Sequence, residues 1–226
     1  ENGANTSFVH QFTSSDVDED ELLADPVEKV EAVGGTRHPG IALPEDLFMP
    51  ERKNSKGLDL EDRELLEGLA ERLRKPVPVQ LRGEKDVDEC IDNCHKAFPA
   101  WSKTTIEHRA ACLEKFADLM EERHEDLMAV MVDEGSKNIP DALGDVREAV
   151  DFCRYYAAQA RKNLKPIDLP GPTGEQNVLR MEGRGVWACI APWNFPLAIF
   201  VGQVVAALVT GNTVVAKPAP QTPKIA

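Results

Sequence analysis

The sequence predicts an α/β protein in which a helical layer is followed by the start of a parallel sheet. Three observations carry this expectation. Between Leu65 and Ala157, apolar residues recur at helical spacing behind side chains able to cap helix starts. From Lys165 to Glu182 the chain turns rich in proline and glycine. From Gly185 to Lys217 it reads as strand, turn, apolar helix and β-branched strand.

In chain order, residues 1–50 read as a connector. They hold the acidic run Asp16-Val17-Asp18-Glu19-Asp20-Glu21, the punctuators Gly34-Gly35 and Pro39-Gly40, and few periodic apolar positions. Residues 51–164 form the helical layer. Leu65, Leu66, Leu69 and Leu73 predict a short amphipathic helix that ends before Pro76. Asp86 followed by Glu89 resembles a capping box, opening a helix with Val87, Cys90, Ile91, Cys94 and Phe98 on one stripe. Thr104 and Glu107 repeat the signal ahead of Ile106, Ala110, Leu113, Ala117 and Met120, in a helix that Gly135 would close. Pro140-Asp141 opens another, with Val146, Val150, Cys153 and Ala157 on one face.

Residues 165–184 contain a strand at Val178, Leu179 and Met181, and residues 185–226 form a βαβ unit. Its first strand is Val186-Trp187-Ala188-Cys189-Ile190-Ala191, its helix Leu197 to Val209, and its second strand Thr213-Val214-Val215-Ala216, with Gly211 as left-handed terminator. Such a unit implies a parallel, Rossmann-like sheet with a right-handed crossover. One unit leaves strand edges and an apolar helix in need of cover, so the sheet is expected to be incomplete within these residues.

Bulk properties narrow the function. A net charge of −13 argues against nucleic acid as the main partner. Residues 1–75 carry 18 acidic against 9 basic side chains, whereas Gly185 to Ala226 carry no carboxylate and only Lys217 and Lys224. That segment suits either a buried strand or a site that accepts an anion. Five irregularly spaced cysteines suggest reduced thiols in a cytoplasmic protein. Cys90, Cys94 and His95 lack further ligands, so no metal site is expected and the helix stripe is read as packing. No secretory signal is visible, and the longest apolar stretch, Phe195 to Val209, is too short to span a bilayer.

In a parallel sheet, ligands bind beyond the carboxyl ends of the strands. Pro192-Trp193-Asn194-Phe195-Pro196 emerges there after the first strand, and Lys217-Pro218-Ala219 after the second. An asparagine at such a turn presents amide donors beside a positive helix end, which suits a developing oxyanion. A lysine past the next strand can reach a nucleotide hydroxyl or phosphate. The plainer alternative is that Asn194 caps the helix and Lys217 is a solvated charge.

Ile190-Ala191-Pro192-Trp193-Asn194-Phe195-Pro196, followed at the right distance by Gly211-Asn212-Thr213-Val214-Val215-Ala216-Lys217-Pro218-Ala219, resembles the aldehyde dehydrogenase superfamily. The resemblance implies that Asn194 donates to the oxyanion formed when a cysteine thiolate adds to an aldehyde. It implies that Ile190, Ala191, Pro192, Trp193 and Lys217 line an NAD site, and that Glu148 and Phe195 lie near the substrate. Glu1 to Val9, Arg52 to Leu60 and Arg147 to Phe152 further resemble the bifunctional proline utilization A family. There, residues 1–50 would connect from an upstream proline dehydrogenase-like domain, the expected location of any FAD.

The expected activity is therefore oxidation of L-glutamate γ-semialdehyde to L-glutamate in proline catabolism. The complete enzyme is expected to be a homo-oligomer, with peripheral membrane association possible through other parts. The nucleophilic cysteine and general base are expected outside these residues, leaving this stretch inactive by itself. Pro220 stands where the family usually has a ribose-binding glutamate, which opens the choice between NAD and NADP. The alternatives are an aldehyde dehydrogenase for another substrate, and a non-catalytic linker or oligomerisation module.

Overall fold

A computed structural model of the chain describes residues 13, 20, 23–32, 34, 35, 40–81 and 86–225. The resemblance at Glu1 to Val9 and all of the acidic run except Asp20 lie outside the described residues. The chain divides into two units, Glu1–Ala42 and Leu43–Ala226, ahead of the connector boundary expected at residue 50. In the first, helix α1 (Pro26–Ala32) buries no residue. Its start is held by Asp25, whose Oδ1 accepts the N–H of Val27 at 2.8 Å.

The second unit opens with a 3₁₀ turn at Pro44–Asp46. Helix α2 (Arg63–Leu73) is capped by Asp62, which accepts from the N–H groups of Glu64 and Leu65, and it buries Leu69 and Leu73. Helix α3 (Val87–Trp101) starts as expected, with Asp86 accepting the Glu89 N–H. Cys94 on its apolar stripe faces the sheet: its Sγ lies 3.4 Å from the Val214 carbonyl. The Thr213 hydroxyl in turn donates to the Cys94 carbonyl at 3.1 Å.

The next expected helix is two. Helix α4 (Ile106–Glu122) and helix α5 (His124–Gly135) meet at Arg123, whose φ of −114° and ψ of 22° break the ladder. Thr105, not Thr104, is the N-cap of α4, accepting from the His108 N–H. The Thr104 hydroxyl is spent on the Trp101 carbonyl at 2.7 Å. The left-handed residue that ends α5 is Ser136, at φ 53°, rather than Gly135.

Helix α6 (Ile139–Asn163) is the longest of the described helices, with Asn138 as its cap. Its buried stripe is rich in small residues, among them Ala142, Ala149, Ala157 and Ala160. Close approach follows: a Cβ on Gly202 would meet the Phe152 ring at 2.9 Å. Strands β1 (Ile167–Leu169) and β2 (Asn177–Leu179) form an antiparallel pair, so the expected strand stops before Met181.

Strands β3 (Val186–Ile190) and β4 (Thr213–Lys217) run parallel, joined by helix α7 (Ala198–Val209), as the βαβ reading requires. The apolar α7 is covered by α6 and α4 on one side and the two strands on the other. Gly211 takes the positive φ of 88° expected of a terminator. Arg109, itself buried, donates from Nε to the Val209 carbonyl at 2.8 Å, and Asn212 accepts the N–H groups of Arg184 and Gly185. These contacts tie the lower end of the unit. Of the two readings of this carboxylate-free segment, a fully buried strand does not hold for β3: Trp187 is 50% and Ile190 64% exposed, and Cys189 is buried. Among the described residues, no helix is long and apolar enough to cross a membrane.

Candidate functional site

The parallel register sets the two candidate segments side by side. Ile190, the last residue of β3, stands opposite Lys217, the last of β4. The ladder runs one step further, with the Ala191 N–H donating to the Lys217 carbonyl at 3.1 Å. Residues 191–197 then form the turn into α7, where Ala191, Pro196 and Leu197 are buried and Trp193, Asn194 and Phe195 exposed. Lys217 is likewise exposed. Asn194 and Lys217 therefore leave the same end of the sheet.

Asn194 is not the helix cap. Leu197 holds the N-cap position and has no side-chain oxygen to offer. The first helical N–H, that of Ala198, is instead satisfied from another element: Asp145 Oδ1 of α6 accepts it at 2.6 Å. Asp145 is fully buried, and its Oδ2 accepts a hydrogen bond from Lys137 Nζ at 2.6 Å. The same ammonium lies 4.6 Å from the centre of the Phe195 ring.

Glu148, one helical turn past Asp145, joins this cluster electrostatically. Burial raises its carboxyl above the ordinary range, the Asp145 charge adds to the shift, and Lys137 opposes it. Phe195 thus meets the Asp145–Lys137 pair at the N-terminal end of α7, while Glu148 lies three residues beyond Asp145 on α6. Ile190 is held differently. Its N–H donates to Gln203 Oε1 and its carbonyl accepts from Gln203 Nε2, both at 3.1 Å.

Asp145, Lys137 and Gln203 were not singled out in the sequence. A signal existed for Asp145 alone: it is a carboxylate on the apolar stripe of α6, where an ionised group needs a partner. Three of the cysteines are poor candidates for chemistry. Burial pushes the Cys153 thiol up to about 12 and also raises those of Cys94 and Cys189.

The arrangement suits an anionic dinucleotide. Lys217 offers a cation, the turn offers exposed backbone, and no carboxylate occurs between Gly185 and Ala226 to repel phosphate. Pro220, exposed on the segment after Lys217, has no side-chain acceptor for a ribose hydroxyl.

The aldehyde dehydrogenase family model matches residues 75–226. The bifunctional protein PutA of Rhizobium meliloti is 40% identical over 259 residues, covering 100% of this chain and 20% of that protein. A crystal structure of bifunctional proline utilization A superposes with a TM-score of 0.81 at 46% identity, covering 100% of this chain and 23% of the other. The 1-pyrroline-5-carboxylate dehydrogenase from Thermus, with bound NAD, gives a TM-score of 0.66 at 30% identity, covering 75% of this chain and 40% of the other. The chain thus spans about a fifth of the length of the PutA relatives it matches.

Proposed function

The chain belongs to the aldehyde dehydrogenase family, and on that footing we propose that it forms part of an NAD-dependent enzyme oxidising L-glutamate γ-semialdehyde to L-glutamate in proline catabolism. The observation that carries the reading is the shared sheet end: the parallel pairing of Ile190 with Lys217 sets the Asn194 turn beside the lysine. The likeness to PutA and to the NAD-bound 1-pyrroline-5-carboxylate dehydrogenase supports the substrate and the cofactor.

In this reading, bound NAD supplies the hydride acceptor. Lys217 and the segment Ile190, Ala191, Pro192 and Trp193 would line its site. The Asn194 amide donates a hydrogen bond to the aldehyde oxygen as negative charge develops there, a contact stronger in the transition state than in the ground state. Glu148 and Phe195 border the amino-acid end of the substrate, where the Glu148 carboxylate can accept from an ammonium group. None of the five cysteines is the nucleophile. Residues 1–50 connect to a proline dehydrogenase-like domain, the place of any FAD, and the assembled enzyme is a cytoplasmic homo-oligomer.

The test is steady-state turnover of the full-length protein with NAD and either L-glutamate γ-semialdehyde or simple alkyl aldehydes. The proposal expects a clearly higher kcat/KM for the semialdehyde. A preference for alkyl aldehydes would move the enzyme to another substrate, and absence of saturable NAD binding would make this a non-catalytic module.

A further inference from the structure

We infer that the buried Asp145–Lys137 pair positions the Asn194 turn, so that both residues control turnover without touching the reacting atoms. The inference rests on the proposed oxyanion role of Asn194. Both ends of the short stretch from Phe195 to Ala198 are fastened to this one ion pair. Asp145 Oδ1 accepts the Ala198 N–H at 2.6 Å, and Lys137 Nζ sits 4.6 Å from the centre of the Phe195 ring. The pair closes on itself through the 2.6 Å contact of Lys137 Nζ with Asp145 Oδ2. Asn194 is the neighbour of Phe195, so its backbone direction follows from where that ring and the helix start are held.

Physical chemistry favours a positioning role over a purely stabilising one. Asp145 is fully buried and the Lys137 side chain only 11% exposed, so both charges have given up water. Such a pair is a weak source of stability compared with apolar side chains of similar volume. What it provides is direction. A carboxylate accepts the orphan N–H at the helix start at a defined angle, where Leu197 can offer no cap. Lys137 also neutralises Asp145, so the positive end of α7 still faces outward toward a developing oxyanion. A carboxylate alone at that spot would oppose the same charge.

The experiment is a double-mutant cycle on the full-length enzyme with Asp145→Asn and Asn194→Ala, reading kcat, aldehyde KM and NAD affinity. Asn keeps an acceptor for Ala198 but loses the charge that holds Lys137. The expected result for Asp145→Asn alone is a fall in kcat of roughly ten- to a hundredfold, as misplacement of a catalytic group commonly produces, with NAD affinity little changed. In the Asn194→Ala background the same change should cost nothing further. If the two losses multiply, Asp145 does not act through Asn194 and the inference fails while the oxyanion reading stands. If Asn194→Ala alone leaves kcat unchanged, the oxyanion reading itself fails and takes the inference with it. Should Asp145→Asn not fold, the paired change Lys137→Gln/Asp145→Asn leaves no unpartnered buried charge and runs through the same cycle.

Discussion

Lys217 stands opposite Ile190 across a parallel strand pair, and its carbonyl accepts the N–H of the next residue, Ala191, at 3.1 Å. That relationship decides which residues can share a ligand. Had β4 run antiparallel to β3, Lys217 would lie near Val186, at the far end of the sheet from Asn194. Because the pairing is parallel, one extended anion can touch the lysine and the turn together.

Replacing Lys217 by Ala should therefore weaken NAD binding by about ten- to a hundredfold, the worth of a charge-assisted hydrogen bond. Turnover at saturating NAD should change far less. Titration of the full-length protein with NAD measures the first effect and saturation kinetics the second. Unaltered affinity would remove Lys217 from the dinucleotide site.

Gly202 on α7 faces Phe152 of α6 so closely that an added Cβ would lie 2.9 Å from the ring. Phe152 also stacks on Tyr156, which restricts its retreat. Gly202→Ala is expected to destabilise the protein by about 1–3 kcal/mol, the usual cost of overpacking. A urea midpoint equal to wild type would mean that the two helices part more easily than the packing implies.

Among the cysteines, Cys112 is exposed while Cys153 is fully buried, its thiol pushed up to about 12 by that burial. At pH 8 an alkylating reagent should modify Cys112 quickly and leave Cys153 untouched until denaturant is added. Peptide mapping reads the order. Early labelling of Cys153 would contradict the packing of α6.

Glu148 makes a pH prediction whose sign follows from its raised carboxyl, caused first by burial and then by Asp145. A carboxyl whose folded pKa exceeds the unfolded one costs stability above the folded value and nothing below the unfolded value. Glu148→Gln should thus raise the melting temperature relative to wild type at neutral pH, and the gain should vanish in acid. Glu148 as a whole is exposed and only partly desolvated, so the effect is small. A gain that grows as pH falls would reverse the assigned sign.

Much of this architecture was legible in the chain, for identifiable reasons. The βαβ unit declared itself because strand and helix periodicities differ and Gly211 marks the boundary with a backbone conformation that other residues resist. The cap at Asp86 was legible because its partner, the Glu89 N–H, is three residues away. The choice of Thr105 over its neighbour Thr104 was not, since both carry the same hydroxyl and only the path of the chain from α3 separates them. The break at Arg123 has no proline or glycine to announce it. Within the site, the Asn194 and Lys217 segments stood out by motif. Asp145 showed only as a carboxylate on an apolar stripe, and neither its service to an N–H 53 positions along the chain nor its pairing with Lys137 has a local signature.

The most direct measurement is the turnover of Asn194→Ala in the full-length enzyme, taken together with its NAD dissociation constant. The account expects kcat to drop by about a hundred- to a thousandfold, as when one oxyanion donor is lost, while NAD binds nearly as before. Turnover close to wild type, or a loss explained by NAD affinity alone, would contradict it.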